Sequence, residues 1–597
     1  MNRLLKQLPR GFEDYKELCE RNRYYVDKTA FIKKVFAEDD SKALLITRPR
    51  RFGKTLTMSM FKYFLELNHE NPGDVSLQQS LFKDKEIMQD QQFCAEFMGQ
   101  YPVIFLSLKD IAGRNYEVAR SSLADLIGRL AQQFYELKES ELLLPEQRKR
   151  FLLLLNDTEL EKDEAGLGTS LFDLLTMVRR YCGKKVILLI DEYDVPLAKA
   201  EEYGYYDDMV KLMRVFLSSA LKTNNVLYKA VLTGCLRVSK ESIFTGVNNF
   251  SVNSVISDLG NLSECIGFTP EEVRNMLEYY GLEGYSNQVK HWYDGYRIAD
   301  HELYCPWDVV NFCSDSCTAR QYGSKNIVCQ NYWVGTSSNA VIKEYMPYLN
   351  EQEAERMQRL LDGESIEFSI NEQLNYNEIR LNHDADDFWT LLLYTGYLTV
   401  VSIKKVNSMD LMCTARIPNE EIRSCFEQNV LSYYKTSPKI ESSARNIAQL
   451  LQAGEADKAA DAIEAVLENY VSVRDFATRA KAENYYHGFL NGLFSSCGDC
   501  IDDYRSNQEG GDGYADIMFR TKDRATGVVL ELKIVKNESE LDTQAATALK
   551  QIEEKEYYQG FKKRSLKRVY CYGIAFFRKE CSIEMSCINV PFGEEKK

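Results

Sequence analysis

The sequence contains little glycine and proline, 32 and 12 residues of 597, which excludes collagen-like and low-complexity architectures. It also lacks a long hydrophobic run. The longest mostly apolar stretch, residues 388–403, is interrupted by Thr, Gly and Tyr and is shorter than the roughly 18 residues that a spanning helix needs. The first residues, MNRLLKQLPRGFEDY, carry charge without an apolar core, so they do not match a secretory signal. We therefore expect a soluble, cytoplasmic protein that does not bind a membrane.

The sixteen cysteines are scattered along the chain rather than arrayed. Without a secretory signal, reduced and mostly buried thiols are expected. Two spacings, Cys313-x3-Cys317 and Cys497-x2-Cys500, match half of a zinc site, but neither has a second such pair close by. Structural zinc is therefore the weaker interpretation.

The net charge of −15 disfavours a protein that is coated with basic surface for nucleic acid. The excess of acid lies upstream, because residues 471–597 carry equal numbers of basic and acidic side chains. A basic cluster within that neutral part contains Lys562, Lys563, Arg564, Lys567 and Arg568. Two interpretations stay open for this cluster: a solvated helix end, or a contact with the phosphate backbone of a nucleic acid.

A phosphate-binding loop is predicted near residue 50. The apolar run ALLIT (residues 43–47) predicts a buried strand, and it is followed by RPRRFGKT and then by a helical pattern. Strand, loop and helix in this order are the context of a P-loop, whose amides bind phosphate while Lys54 reaches the β/γ-phosphates of ATP and Thr55 holds Mg²⁺. We assign nucleotide binding to Pro49, Arg50, Arg51, Phe52, Gly53, Lys54 and Thr55.

One position of the loop departs from the general motif, which has glycine where Arg48 stands. A side chain forced to positive φ there would cost about 1–2 kcal/mol. We expect instead that the loop opens differently, with Pro49 fixing φ, and that Arg48, Arg50 and Arg51 add cations where an anion sits. The alternative is an arginine-rich surface turn in which GKT occurs by chance.

An acidic pair follows a second buried strand. Residues 185–194 read KVILLIDEYD, with Asp191 and Glu192 at the strand end, where α/β sheets bind their ligands. In such a site Asp191 holds Mg²⁺ and Glu192 is a catalytic residue that polarises the attacking water.

Two more strands are predicted at residues 102–108 and 229–233, with helical patterns between them, and this alternation indicates a parallel sheet. Thr233 and Arg237 come at and after the end of the second of these strands. They are candidates for sensing the γ-phosphate, and ordinary strand-end residues are the alternative.

A second set of acidic residues lies in the C-terminal part, where strands are predicted at 500–506, 514–519 and 528–535. Asp516 and Glu531 on neighbouring strands could converge on one divalent ion, as phosphodiester hydrolysis requires. The period of two puts Lys533 on the same strand face as Glu531, where it would orient the nucleophilic water.

Two helices flank these strands. Glu483, on a helix near residues 479–494, could add a further metal ligand, and Gln551 lies on the helix that follows the strands. His487 on the first helix is expected to be a packed helix residue rather than a general base. A D…ExK pattern alone is a weak signal, and a folded domain without turnover stays open as an alternative.

Four motifs, YYVDKT, TRPRRFGKTL, LLIDEYD and LTGCLRVSKESIF, resemble those of a bacterial AAA-ATPase-like family whose members carry a C-terminal PD-(D/E)XK nuclease domain. The arginine-rich start of the loop is usual in that family. The segments WYDGY, LLLYTGYLT and IPNEEIR also match its pattern, so the resemblance covers nearly the whole chain. It implies that the catalytic set of the C-terminal core is Glu483, Asp516, Glu531, Lys533 and Gln551.

The predicted fold class is α/β. We expect a P-loop NTPase parallel sheet in residues 1–259, a helical middle region in residues 260–455, and a C-terminal α/β restriction-endonuclease-like core with a leading helical hairpin in residues 456–597. Within the middle region, Thr269 begins a capping box, and Gly454 joins the two helices of the hairpin.

The sequence thus predicts an ATP-binding and ATP-hydrolysing protein that is coupled to a Mg²⁺-dependent nuclease-like domain acting on nucleic acid, DNA or RNA. Nucleotide occupancy is hypothesised to gate access to the nuclease-like site. One alternative is a nucleotide-controlled binding module that holds nucleic acid or protein without cutting it. Another is a plain ATPase switch with a structural tail. The oligomeric state is left open between a monomer and a homo-oligomer.

Overall fold

The computed structural model describes residues 5–589 except for 223, 237–249, 258–261, 324–326, 334–350, 373, 375–383, 407–410, 428–437, 471–481, 496, 511–512 and 562–565. The chain divides into two compact units. The first unit comprises Met1–Val334 and Glu367–Arg423, and the second comprises Gly335–Ile366 and Ser424–Lys597. In the described part of the chain, no helix has both the length and the apolar character that crossing a bilayer requires. The domain boundaries at residues 259 and 455 stay a prediction.

The first unit is built on a five-stranded sheet in the order β2-β3-β4-β1-β5, in which every neighbouring pair is parallel. Its strands are β1 (Ala43–Thr47), β2 (Val103–Ser107), β3 (Val186–Asp191), β4 (Leu227–Gly234) and β5 (Phe250–Asn253). β1 and β3 are buried along their whole length because helices cover both faces of the sheet, and this is why they are continuous apolar runs. The predicted parallel sheet is confirmed.

Helices surround this sheet. They are α1 (Tyr15–Glu20), α2 (Ala30–Lys33), α3 (Lys54–Leu65), α4 (Ser76–Leu81), α5 (Gln91–Phe97), α6 (Tyr116–Gln132), α7 (Pro145–Leu154), α8 (Asp157–Lys162), α9 (Glu164–Cys182), α10 (Val195–Tyr203) and α11 (Tyr206–Leu221). Because α3 begins at Lys54, directly after the loop that leaves β1, its first amides face that loop.

The middle of the chain is helical, as predicted, and also holds two small sheets. Its helices in the first unit are α12 (Pro270–Tyr279), α13 (Ser286–Tyr293), α14 (Pro306–Gln321) and, further along the chain, α16 (Ala385–Thr395). One sheet is the hairpin β6 (Tyr296–Ile298) and β7 (His301–Leu303), and the other has the order β8-β10-β9, with β8 (Ile366–Ile370), β9 (Thr399–Lys405) and β10 (Leu411–Arg416). The predicted capping box is present, since Thr269 and Glu272 exchange side-chain to backbone hydrogen bonds.

The second unit contains a five-stranded sheet in the order β11-β12-β13-β14-β15. Its strands are β11 (Ile501–Gly510), β12 (Gly513–Thr521), β13 (Thr526–Ile534), β14 (Arg568–Phe577) and β15 (Glu580–Asn589), and only β13 and β14 among them run parallel. Its helices are α15 (Glu351–Leu361), α17 (Pro438–Ala453), α18 (Ala456–Tyr470), α19 (Ala482–Ser495) and α20 (Leu541–Glu554). The α-β-β-β-α-β order of the predicted nuclease-like core is confirmed.

Two close approaches shape this unit. The helical hairpin turns at Gly454, which has φ of +80° and lies so near Tyr570 that a Cβ atom there would be 2.8 Å from its ring. Gly573 in β14 lies directly beneath α20, where a Cβ atom would be 2.1 Å from the carbonyl oxygen of Ala545 and 2.3 Å from the amide of Leu549. Glycine at 573 therefore sets how closely α20 packs on the sheet.

Candidate active sites

The loop between β1 and α3 reaches its turn without glycine at its first position. Its left-handed residues are Arg51, with φ of 68°, and Gly53, with φ of 94°. Arg48 is not among the residues with positive φ. The glycine of the general motif is therefore not needed at position 48, as the sequence analysis expected of a loop that opens differently.

Arg48 is fully buried and does not contribute a cation to the anion site. Its guanidinium donates to the carbonyl oxygen of Thr47 at 2.8 Å, to Oδ1 of Asn253 at 2.7 Å and to the carbonyls of Leu262 and Ser263 at 3.3 and 3.2 Å. The expectation that this arginine sits where phosphate binds is wrong. Carbonyl acceptors from three segments hold it instead, so it ties β1 and β5 to residues 262–263.

Arg51 is directed to the middle segment. Its guanidinium carbon lies 4.2 Å from the centroid of the Trp307 ring, and its Nη1 donates to the carbonyl oxygen of Tyr332 at 2.6 Å. Burial lowers the pKa of Arg51 from its ordinary value. The side chain of Arg51 therefore contacts Trp307 and Tyr332 in this structure, and its assignment to nucleotide binding stays a prediction. Arg50 is partly buried, and its assignment stays a prediction.

Lys54 lies inside the loop and is almost completely buried, with a relative exposure of 3%. Its Nζ lies 3.3 Å from the carbonyl oxygens of both Arg48 and Pro49, 3.6 Å from Sγ of Cys235 and 3.4 Å from Oε1 of Glu192. Burial alone would lower the pKa of Lys54, but the anionic forms of Cys235 and Glu192 outweigh it and raise the pKa above its ordinary value. The lysine is thus held charged in the position that a phosphate would approach.

Asp191, at the end of β3, is hydrogen-bonded to residues of β4 and of the first turn of α3. Its two carboxylate oxygens accept hydrogen bonds from Oγ1 of Thr55 at 2.7 Å and Oγ1 of Thr233 at 2.5 Å. Burial and the neighbouring charge of Glu192 raise the pKa of Asp191, and the two threonine hydroxyls oppose that shift. Because β1, β4 and β3 are adjacent and parallel, their carboxyl ends bring these residues to one edge of the sheet.

The residues after Asp191 hold the end of β4, a role that the sequence analysis missed. Oη of Tyr193 donates to the carbonyl oxygen of Leu236 at 2.5 Å, and Oδ2 of Asp194 accepts from the amides of Cys235 at 3.1 Å and Leu236 at 2.9 Å. A Cβ atom at Gly234 would meet both side chains at 2.6 Å. Burial and then Glu192 raise the pKa of Asp194 to about 6. The backbone that leads to position 237 is therefore fixed, whereas Arg237 itself lies outside the described residues.

Glu192 adopts a backbone conformation that non-glycine residues rarely take, with φ of 52°. Strained backbone of this kind persists only where the surrounding structure holds it. Here the side chain of Glu192 lies beside Lys54 and is 21% exposed. Its assigned role as catalytic residue stays a prediction.

In the second unit, Asp516 and Glu531 face the same side of the sheet. The ladder between β12 and β13 pairs Ile517 with Leu530 and ends there, so the next two positions in register are Asp516 and Glu531. Beyond that point Oδ2 of Asp516 accepts the amide of Leu532 at 2.8 Å, replacing a ladder hydrogen bond. The two carboxylates that the sequence analysis selected are therefore cross-strand neighbours.

Glu531 is the centre of a polar cluster and is only 4% exposed. Its Oε1 accepts hydrogen bonds from Nζ of Lys533 at 3.1 Å and from Nε2 of Gln551. Gln551 also lies 3.1 Å from Oη of Tyr557, an additional member that the sequence analysis did not identify. Because Gly573 pairs in register with Glu531, the close packing of α20 at that glycine brings Gln551 within reach.

His487 contacts the backbone of this site. Its Nε2 lies 3.0 Å from the carbonyl oxygen of Asp516, which requires a proton on that nitrogen, and 3.2 Å from Oγ of Ser506. Asn491, one helical turn further on, donates to Ser506 at 2.9 Å and lies 3.2 Å from Nδ1 of His487. The histidine thus contacts the backbone of Asp516 directly, which sequence reasoning did not foresee.

Several predicted site residues fall beyond what the structure describes. The backbone of Glu483 belongs to α19, but its side chain lies outside the described part, as do Lys562, Lys563 and Arg564. Lys567 and Arg568 are described and exposed, and Arg568 begins β14. Their assignment as nucleic-acid contacts stays a prediction.

The candidate metal sites depend on the donor atoms that each unit presents. All sixteen cysteines are free thiols, and within the described residues no group of three or more His, Cys, Asp or Glu side chains forms a metal cluster. The pairs that do occur, Thr55 with Asp191 and Asp516 with Glu531, offer the hard oxygen donors that Mg²⁺ prefers. Both pairs fit a Mg²⁺ ion that keeps water and substrate phosphate among its ligands.

Comparison with known proteins agrees with both halves of this description. The family model described as predicted AAA-ATPase matches residues 9–244, and the PD-(D/E)XK nuclease superfamily model matches residues 481–586. A protein of Azotobacter chroococcum mcd 1, described as uncharacterized protein in vnfD 5'region, is 22% identical over 449 residues, which cover 72% of this chain and 71% of the relative. The resemblance drawn from the motifs is confirmed: the chain carries an AAA-ATPase-like domain on its N-terminal side and a PD-(D/E)XK nuclease superfamily domain on its C-terminal side.

Proposed function

We propose that this protein binds and hydrolyses ATP with Mg²⁺ and that its C-terminal domain is a Mg²⁺-dependent nuclease acting on nucleic acid. The observation that carries the proposal is the meeting of Lys54, Thr55 and Asp191 at one edge of a parallel sheet. The second support is the cluster of Glu531 with Lys533 and Gln551 beside Asp516.

In the proposed ATPase reaction, the side chains at the phosphate-binding loop and at the ends of β3 and β4 have separate roles. Lys54 would exchange its present contacts with loop carbonyls for the β- and γ-phosphate oxygens, since its charge is already maintained by the acidic neighbours. Thr55 and Asp191 would hold Mg²⁺, which supplies charge neutralisation at the phosphates. Glu192 would accept the proton of the attacking water, and Thr233, fixed to Asp191, would contact the γ-phosphate.

The nuclease half assigns a metal to Asp516 and Glu531, whose ion would withdraw charge from the scissile phosphate. Lys533 shares Oε1 of Glu531 with Gln551, and this fixes its ammonium beside the carboxylate. From that position it would orient the nucleophilic water and stabilise negative charge on the phosphate. His487 would keep the Asp516 backbone in place.

The ATPase half is tested by measuring phosphate release from ATP by the full chain with Mg²⁺. We expect Lys54→Ala and Asp191→Asn to lower turnover by at least about 100-fold, because each removes a charge that acts on the transferred phosphoryl group. Lys62→Ala, on the same helix but outside the loop, is the matched control and should keep wild-type turnover. Equal turnover in Lys54→Ala and the wild type contradicts the proposal.

The nuclease half is tested with labelled single- and double-stranded DNA and with RNA, in Mg²⁺ and with or without ATP. Lys533→Ala is expected to abolish cleavage, while Lys536→Ala, an exposed lysine further along the same segment, should not. Retention of nucleic acid on a filter without cleavage of any substrate would favour the binding-module alternative. In that case Lys567→Ala with Arg568→Ala should reduce retention.

A further inference from the structure

The chain leaves the first unit after residue 334 and again after residue 423, and the described residues that precede these two exits are joined to each other. Glu421 is fully buried, and its Oε1 accepts hydrogen bonds from the amides of Tyr332 and of Trp333, the latter at 2.7 Å. A single carboxylate therefore fixes the backbone at both exits.

Glu421 is itself held by a second buried acid. Asp308, near the start of α14, is 1% exposed and lies close enough to Glu421 for the two buried acids to interact. Burial and then Asp308 raise the pKa of Glu421 to about 10, so this pair of acids retains a proton at neutral pH. A fully buried carboxyl group that accepts both amide hydrogen bonds is a rigid anchor for this backbone.

The same anchor reaches the phosphate-binding loop. The carbonyl oxygen of Tyr332 accepts from Nη1 of Arg51 at 2.6 Å and from Nε1 of Trp307 at 3.1 Å, and the Arg51 guanidinium lies over the Trp307 ring. Arg51 stands in a left-handed backbone conformation two residues before Gly53. The carbonyl group of Tyr332 therefore connects the phosphate-binding loop and α14 to the segment that leaves the first unit after residue 334.

The other contacts of the loop leave little room to absorb a movement. A Cβ atom at Gly396 would lie 2.7 Å from Cβ of Pro49, and Oη of Tyr296 donates to the carbonyl oxygen of Gly396 at 3.1 Å. The ring of Tyr296 also packs edge-on against Phe52 at 5.0 Å. Densely packed surroundings of this kind transmit a displacement rather than dissipate it.

We infer that Arg51, Trp307, Tyr332 and Glu421 form a relay that transmits nucleotide occupancy of the loop to the two points where the chain leaves the first unit. The inference rests on the proposed function in that it requires the loop to bind nucleotide. When phosphate replaces the loop carbonyls around Lys54, the backbone at Arg51 must adjust, and its guanidinium cannot move without changing the contacts of Tyr332. Nucleotide-dependent control of the C-terminal domain would begin at this point.

The relay is tested by hydrogen exchange of the full chain, with and without ATPγS and Mg²⁺, read at the peptide that contains the Tyr332 and Trp333 amides. We expect the nucleotide to change exchange there at least fivefold in the wild type. In Trp307→Leu, the dissociation constant of ATPγS should stay within threefold of the wild-type value, while the change at these amides falls below twofold. The dissociation constant thus reports nucleotide binding, and the change in hydrogen exchange reports transmission from the loop to Tyr332 and Trp333.

Three outcomes overturn the relay. In the first, bound nucleotide does not change hydrogen exchange at the amides of Tyr332 and Trp333 in the wild type. In the other two, Trp307→Leu shows the full wild-type change in exchange, either with unchanged nucleotide affinity or, after a loss of affinity, at saturating nucleotide. A wild-type protein that binds no ATPγS overturns the proposed function and the relay together. If Trp307→Leu does not fold, Trp307→Phe decides, because it keeps an aromatic ring at this position and removes the indole N–H that donates to Tyr332. The relay then predicts that the response is at least halved, and an unchanged response overturns it.

Discussion

Replacing Gly573 by alanine tests whether the packing of α20 on β14 positions the nuclease-like cluster. The new Cβ atom would lie 2.1 Å from the Ala545 carbonyl oxygen and 2.3 Å from the Leu549 amide, whereas ordinary contacts begin at 3.4 Å. Both neighbours are helix backbone, which cannot rotate away as a side chain would. The helix must therefore retreat from the sheet by about 1.3 Å, or the strand must bend.

The cost can be worked out from the contacts that such a retreat disturbs. Overpacking of a well-packed site costs about 1–3 kcal/mol. The hydrogen bond from Gln551 to the buried Glu531 lies on the same helix, and a hydrogen bond to a charged group contributes about 1.5–3 kcal/mol. Because the retreat weakens rather than removes that bond, we expect a destabilisation of the second unit of about 3 kcal/mol.

Thiol labelling against urea reads this effect unit by unit. Cys571 is buried in β14, and Cys265 is buried in the first unit, so each reports the unfolding of its own unit. With a urea dependence of about 2 kcal/mol per molar, the Cys571 midpoint should fall by about 1.5 M in Gly573→Ala, and the Cys265 midpoint should not change. Gly498→Ala is the control, because a Cβ atom at Gly498 meets nothing within 4 Å. A Cys571 shift below about 0.3 M, or one equal to that of the control, refutes the reasoning.

Three other predictions concern the first unit. The pKa of Glu421 is raised to about 10 in the folded state, so the native protein retains a proton that the unfolded chain loses above about 4.5. The free energy of unfolding of the wild type therefore falls as the pH rises from about 4.5 to about 10. Thermal unfolding should show that, between pH 5 and pH 9, the stability of Glu421→Gln increases by at least about 1 kcal/mol relative to that of the wild type. Tyr193→Phe removes the hydrogen bond to Leu236 and should lower kcat for ATP more than it raises KM, which steady-state kinetics will decide. Arg48→Lys cannot satisfy the carbonyls that now share one guanidinium, and calorimetry should show a loss of about 2–4 kcal/mol.

The sheet of the first unit was predictable from sequence because its strands are buried on both faces. ALLIT and VILLID are continuous apolar runs, and the observed strands begin or end within one or two residues of the predicted ones. The small sheet of β8, β9 and β10 was not predicted. The segment LLLYTGYLT is apolar on both sides of Gly396, so its hydrophobic pattern does not distinguish a helix from a strand. In the structure α16 ends at Thr395 and β9 begins at Thr399. The left-handed glycine, with φ of 93°, was the available signal for that break.

The acidic and lysine positions of the candidate sites could be selected because motif order and strand ends place them in the fold. The directions of the arginine side chains could not. Arg48 donates a hydrogen bond to Asn253 and Arg51 donates one to Tyr332. Both acceptors are distant in the sequence, so no local sequence pattern predicts these contacts. The close approach at Gly573 had a weak signal, since glycine inside an apolar strand often marks contact with another backbone. What decided these contacts was tertiary packing.

The interleaving of the two units has a consequence for synthesis of the protein. The first unit is not complete when its parallel sheet has been made, because Gly396 and Glu421 belong to a stretch that returns only after residue 366. A nascent chain released or cleaved at residue 259 would leave Phe52 without Tyr296 and Arg51 without Trp307. On the ribosome, therefore, the phosphate-binding loop reaches its final form only when the chain has emerged through Arg423, and fragments meant to bind nucleotide need to extend to that residue.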